Sequence, residues 1–155
     1  MPDKKTLSRA RKDKASGKSA STQAGEFVRE TIDHVRQGKH GVRSTKQAIA
    51  IGLSKARRAG VKLAAPAKGK TSASTRKRAE RDLKTGKSKS ASTRKPSAKR
   101  SEATTKALKR ESQKPASKSA LSKQTKTAAK KRTPAERSAS AKKAARTRKA
   151  SARKK

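Results

Sequence analysis

Ser44-Thr45-Lys46-Gln47-Ala48-Ile49-Ala50-Ile51-Gly52-Leu53-Ser54-Lys55-Ala56-Arg57-Arg58-Ala59-Gly60 is the stretch on which the fold turns. Ser44 and Gln47 have the spacing of a capping box, in which two side chains satisfy N–H groups that a helix leaves open at its start. Ala48, Ile49, Gly52, Leu53, Ala56 and Ala59 follow at helical spacing and form one apolar stripe. Gly60 followed by Val61 reads as a helix stop with a hydrophobic contact behind it. Lys46, Gln47, Ala50, Ser54, Arg57 and Arg58 share the opposite face, while Ile51 lies outside the stripe and marks either a wider buried face or a contact with a second protomer.

Upstream, Ala24, Phe27, Val28, Thr31, Ile32 and Val35 form a second helical stripe, capped at its start by Ser21 or Thr22 and ended by Gly38. Glu26, Arg29, Glu30, Asp33 and Arg36 fall on the other, solvent face, with Arg29 and Asp33 placed to pair. Small residues at 48, 52 and 56 let the two helices approach closely, which predicts a helical hairpin over about residues 22–63.

Beyond this hairpin, apolar side chains are scarce. Leu, Ile, Val and Phe number 14 in 155 residues, and ten of them lie between Thr22 and Leu63. A highly charged chain with less than roughly 20% of these residues has too little to bury and stays disordered. The composition therefore predicts a mostly disordered chain with one small all-α helical hairpin and long basic flexible arms. Residues 1–21 read as a basic arm and 64–155 as a Lys/Arg/Ala/Ser-rich tail with transient helices at about 76–84 and 134–150. The second of these starts at Thr133-Pro134-Ala135-Glu136, a capping box with Pro at the first helical position. Ser72-Ala73-Ser74-Thr75-Arg76-Lys77 recurs as Ser90-Ala91-Ser92-Thr93-Arg94-Lys95, and Ser19-Ala20-Ser21-Thr22 echoes its first half.

Charge decides the class of partner. Lys and Arg number 48 against 10 Asp and Glu, a net charge of +38, with +11 in residues 1–63 and +27 in 64–155. A duplex carries about one negative charge per ~1.7 Å and releases counterions when cations neutralise it. The expected function is that of a histone-like nucleoid-associated protein binding duplex DNA with little sequence specificity. Its contact residues are expected to be Lys39, Arg43, Ser44, Lys46, Gln47, Arg57 and Arg58 in the hairpin. In the tail they are Arg76, Lys77, Arg78, Arg94, Lys95, Lys130, Lys131, Arg132, Lys142, Lys143, Arg146, Arg148 and Lys149. An RNA-binding or ribosome-associated role is the first alternative; a protein-interaction hairpin with a tethering tail, or a self-associating hairpin, is another. Phe27 is the single aromatic residue and lies on a core stripe, which argues against a base-stacking module for single-stranded RNA.

Catalysis and cofactors are not expected. There is no Cys, so no disulfide or thiolate metal site can form. His34 and His40 are the only histidines, and both read as bystanders without a second ligand at metal spacing. Glu26, Glu30 and Asp33 read as solvated charges rather than a carboxylate pair in a cleft. The first twenty residues lack the apolar run of about 7–15 residues of a secretory signal, and no stretch approaches a membrane span, so a soluble, cytoplasmic, nucleoid-associated protein is expected.

The stretch from Phe27 to Leu63, with Gly38-Lys39-His40-Gly41 and the segment quoted above, resembles a family of small bacterial proteins of unknown function, some of them labelled DNA-binding. The resemblance implies no catalytic residues. The remainder is similar in composition to the tails of linker histones and of bacterial histone-H1-like proteins, which implies chromosome condensation or nucleoid organisation.

Overall fold

Serine hydroxyls start the helices. Ser19 Oγ accepts from the Thr22 N–H at 3.3 Å and also meets the hydroxyls of Ser21 and Thr22, so α2 (Ala20–Arg36) begins there. Ser72 makes the same three contacts with Thr75 and Ser74 at the start of α4 (Ala73–Lys87). The repeated Ser-Ala-Ser-Thr is thus a helix-capping cassette, used one turn earlier in α2 than the Ser21 or Thr22 expected from the sequence. At α3 (Thr45–Arg58) Ser44 Oγ accepts from the Gln47 N–H, while Gln47 Oε1 reaches back to the N–H of Arg43. Gly38 and Gly60, at φ +71° and +89°, end α2 and α3 in the left-handed conformation that other residues resist.

The computed structural model describes residues 2–88 and 97–152. Among them are seven α-helices, adding α1 (Lys4–Ala15), α5 (Ala98–Lys109), α6 (Lys118–Lys130) and α7 (Pro134–Ala152) to the three above. They divide into two units, residues 1–117 and 118–155. The expectation of a mostly disordered chain with a single hairpin and flexible arms is overturned. The hairpin of α2 and α3 exists, but α1 packs on α2, α4 packs on α3, and a segment after α5 packs on both α2 and α3.

The reason lies in the size of the buried residues. Six of the ten buried hydrophobic residues are alanines: Ala10, Ala24, Ala48, Ala56, Ala79 and Ala116. The sequence holds 28 alanines, the best helix formers, and a count confined to Leu, Ile, Val and Phe passes over them. Phe27 is 1% exposed and anchors one cluster with Ala10, Ala24, Ala56 and Val61. Val35, Val42, Ala48 and Ala116 form a second, flanked by Ile32 and Ile51, which accounts for the position of Ile51 off the main stripe. Small residues bring backbones together: a Cβ added at Gly52 would lie 2.5 Å from Val28 Cα.

The segment after α5 is held as a strap. The Gly41 N–H donates to the Leu108 carbonyl at 2.8 Å, and the Val42 N–H to Ser112 at 3.1 Å. Thr45 Oγ1 donates to the Pro115 carbonyl and Arg36 Nε to that of Ala116, at 2.7 and 2.9 Å. A single 3₁₀ turn, Lys114–Ala116, then places Ala116 fully inside the second cluster.

In the second unit, α7 starts with the reciprocal box expected from the sequence. The Glu136 N–H donates to Thr133 Oγ1 and the Thr133 N–H to Glu136 Oε2, at 3.2 and 3.0 Å. The stretches expected to form transient helices, about 76–84 and 134–150, lie within α4 and α7.

Candidate nucleic-acid interface

The few acidic residues mark where elements meet. All nine in residues 2–117 stand in ion pairs, and five of those pairs join separate elements. Glu26 of α2 faces Arg9 of α1, Glu30 of α2 faces Lys55 of α3, and Asp82 of α4 faces Arg58 of α3, at 3.6, 3.0 and 2.7 Å. Glu111 of the strap meets Arg43, and Asp3 meets His34, at 2.7 and 3.2 Å.

Glu30 corrects the expectation of a solvent-facing acid. It is 6% exposed and takes hydrogen bonds from Lys55 Nζ and the Asp3 N–H. Burial alone would raise its pKa, but these bonds, one from Thr6 and the Lys55 charge outweigh that and hold it below the ordinary value. Asp33 pairs with Arg36 rather than Arg29.

Asp3, Glu30 and His34 bring ligand-type atoms within 4.8 Å of one another, and Glu30 stands four residues before His34, a spacing the sequence analysis passed over. Each is already engaged: His34 Nε2 with Asp3 Oδ2, Glu30 with Lys55 and the Asp3 N–H. The trio acts as a clasp holding the start of α1 against α2.

The face of α3 expected to dock on nucleic acid is engaged at its C-terminal half, while Lys46, Ala50 and Arg58 stay exposed. Ser54 Oγ and Arg58 Nε both donate to Asp82 of α4, each at 2.7 Å. Arg57, expected to be exposed, is 7% exposed and donates to the carbonyls of Leu63 and Ala64. Burial lowers its pKa, and the charge of Asp82 partly offsets this. The chain returning after Gly60 supplies the acceptors. Ser44 and Gln47 serve the cap; Arg43 and Arg58 are exposed but paired with Glu111 and Asp82, and Lys39 and Lys46 are exposed as well.

The outward cations lie elsewhere. On α4, Arg76 is half-buried against Glu80, but Lys77 and Arg78 are exposed, as are Arg81 and Lys84, two residues the sequence analysis missed. Their signal was the inward pair Ala79 and Leu83 at i, i+4, which sets the opposite face outward. In the second unit 15 Lys and Arg stand against one acid, Glu136. Lys130, Lys131, Arg132, Lys142, Lys143, Arg146, Arg148 and Lys149 are all exposed there. Lys142, Arg146 and Lys149 recur at i, i+4 and i+7 along one side of α7, and Lys123, Lys126 and Lys130 form a similar row on α6. Arg94 and Lys95, together with the repeat that contains them, lie outside the described residues.

The family described as "Family of unknown function (DUF6496)" matches residues 11–69, a stretch running from within α1 through α2 and α3 and ending before α4. No curated protein and no solved structure matches the chain. Among the described residues, no helix is long and apolar enough to cross a membrane.

Proposed function

We propose that this chain is a non-enzymatic, histone-like nucleoid-associated protein that binds duplex DNA through phosphate neutralisation. The observation that carries the reading is the division of labour among charges: in the first unit every acid is engaged in an ion pair, leaving exposed cations such as Lys77, Arg78, Arg81 and Lys84 facing outward. A net charge of +38 displayed this way repels itself and is relieved by a polyanion. A duplex suits it better than single-stranded nucleic acid, because the one aromatic side chain, Phe27, is 1% exposed and offers no stacking platform.

The test is a gel-shift titration of the full chain on a duplex. With six to ten phosphates contacted, affinity falls by about 10³–10⁵ between about 50 and about 200 mM salt. A flat salt response refutes the proposal, and a strong preference for an RNA duplex of the same length replaces DNA as the partner.

A further inference from the structure

Helix α4, like α1, carries exposed cations and is held in a fixed orientation by an opposite, anchored face. On the inner side Ala79 is 5% and Asp82 8% exposed. Asp82 accepts from Ser54 and Arg58 of α3, and Gly86 lies so close to the Arg57 carbonyl that a Cβ there would collide with it. These contacts fix how the helix is rotated about its own axis.

The outer side follows from that rotation. At about 100° per residue, Lys77 and Lys84 fall together at one edge of the outward arc, Arg81 at its middle and Arg78 at its other edge. The arc spans roughly 120°. Ser74 and Thr85 lie within it, near the two ends of the helix. All six are exposed, and none of the four cations has an ion-pair partner among the described residues. The two acids beside the arc, Glu80 and Asp82, are paired with Arg76 and Arg58, at 3.6 and 2.7 Å. On α7, Lys142, Lys143, Arg146 and Lys149 have the same spacing and fill the same arc, with Arg137 and Arg148 on the far side of the helix.

A helix about 10–12 Å across fills a major groove about 12 Å wide, so its flanks meet the two phosphate walls and its midline meets the base edges. The α4 arc has that layout: cations on both flanks, a guanidinium on the midline and short hydroxyls beside it. Guanidinium is the donor fork that matches guanine N7 and O6. We propose that α4 docks in the major groove of duplex DNA, with Arg78 on one phosphate wall, Lys77 and Lys84 on the other and Arg81 on the edge of a guanine. This rests on the duplex-binding reading above and gives it an oriented contact that charge alone does not supply. It also moves the docking helix from α3, where Ser54 and Arg58 are engaged by Asp82 of α4.

The test is dimethyl sulfate footprinting of a guanine-containing duplex by the full chain at about 50 mM salt, because the reagent methylates guanine N7 in the major groove. Three proteins are compared: the natural chain, Arg81→Lys, which keeps the charge but loses the fork, and a control carrying Lys123→Gln, Lys126→Gln and Lys130→Gln on α6. Protection of N7 by the natural chain and by the α6 control, with protection weakened roughly five- to hundred-fold in Arg81→Lys, supports the proposal. Duplex binding with N7 as reactive as in free DNA overturns it and leaves phosphate binding standing, as does protection by Arg81→Lys equal to that by the natural chain. No duplex binding by the natural chain overturns both.

Discussion

Two glycines make opposite predictions for the same substitution. Replacing glycine by alanine inside a helix gains about 1 kcal/mol from helix propensity when nothing opposes the methyl group. At Gly25 of α2 nothing lies within 4 Å of the new Cβ, so Gly25→Ala gains the full amount. At Gly52 of α3 the Cβ would stand 2.5 Å from Val28 Cα and 2.8 Å from Val28 N. Carbon atoms rest at about 3.5–4.0 Å, so α2 and α3 must separate by about 1 Å. The obstacle is backbone, which cannot turn aside, so the overpacking cost sits near the top of its range, about 3 kcal/mol. Net of propensity, Gly52→Ala loses about 2 kcal/mol. At about 4 °C per kcal/mol for a unit of this size, Gly52→Ala melts about 8 °C below the natural chain and Gly25→Ala about 4 °C above it. Thermal unfolding followed by circular dichroism on the full chain measures both. Shifts of the same sign, or no loss in Gly52→Ala, refute the close packing of α2 on α3.

Other expectations follow from single contacts. Because the Glu30 pKa is held below its ordinary 4.5, the unfolded chain takes up the proton first; stability is complete above that value and falls as pH drops through the lower folded pKa. Glu30→Gln should show a shallower loss of melting temperature below pH about 4.5; an unchanged acid profile argues against the buried pair. Ser19→Ala and Ser72→Ala each remove a cap and should cost about 1 kcal/mol in urea denaturation, whereas exposed Ser8→Ala should cost nothing resolvable. Thr45→Val removes the bond to the Pro115 carbonyl, at a cost of about 1–3 kcal/mol, and should speed tryptic cleavage after Lys109 and Arg110; unchanged cleavage would mean that the strap does not depend on that bond.

How far the sequence disclosed these features depended on whether a signal was local. The box at Ser44 and Gln47, the stops at Gly38 and Gly60, the small residue at Gly52 and the box at Thr133 and Glu136 all act within a few positions and were readable. The strap was not, because Ala116 and Pro115 acquire a role only through Arg36 and Thr45, 70 or more residues away. Charges misled in a related way. On an isolated helix Glu30 and Arg57 fall outside the apolar stripe, but each finds its partners on another stretch of chain. Asp82 likewise escaped a local reading, since its partners Ser54 and Arg58 lie on α3, 24 or more residues away. The repeated Ser-Ala-Ser-Thr was visible as a repeat, and its purpose appeared only once Ser19 and Ser72 were seen making the same bonds.

The strap also sets an order of events at the ribosome. Ile32, Val35, Val42, Ala48 and Ile51 are all synthesised by residue 51, yet the Ala116 that seals them comes 65 residues later. At about 5–20 residues per second, the nascent chain carries that seam open for about 3–13 seconds, on top of the time needed to clear the exit tunnel. During that interval the seam is held by α2 and α3 alone, and premature termination after α4 would leave it permanently uncovered. A truncated chain of that kind is the form in which quality-control proteases should first find a foothold.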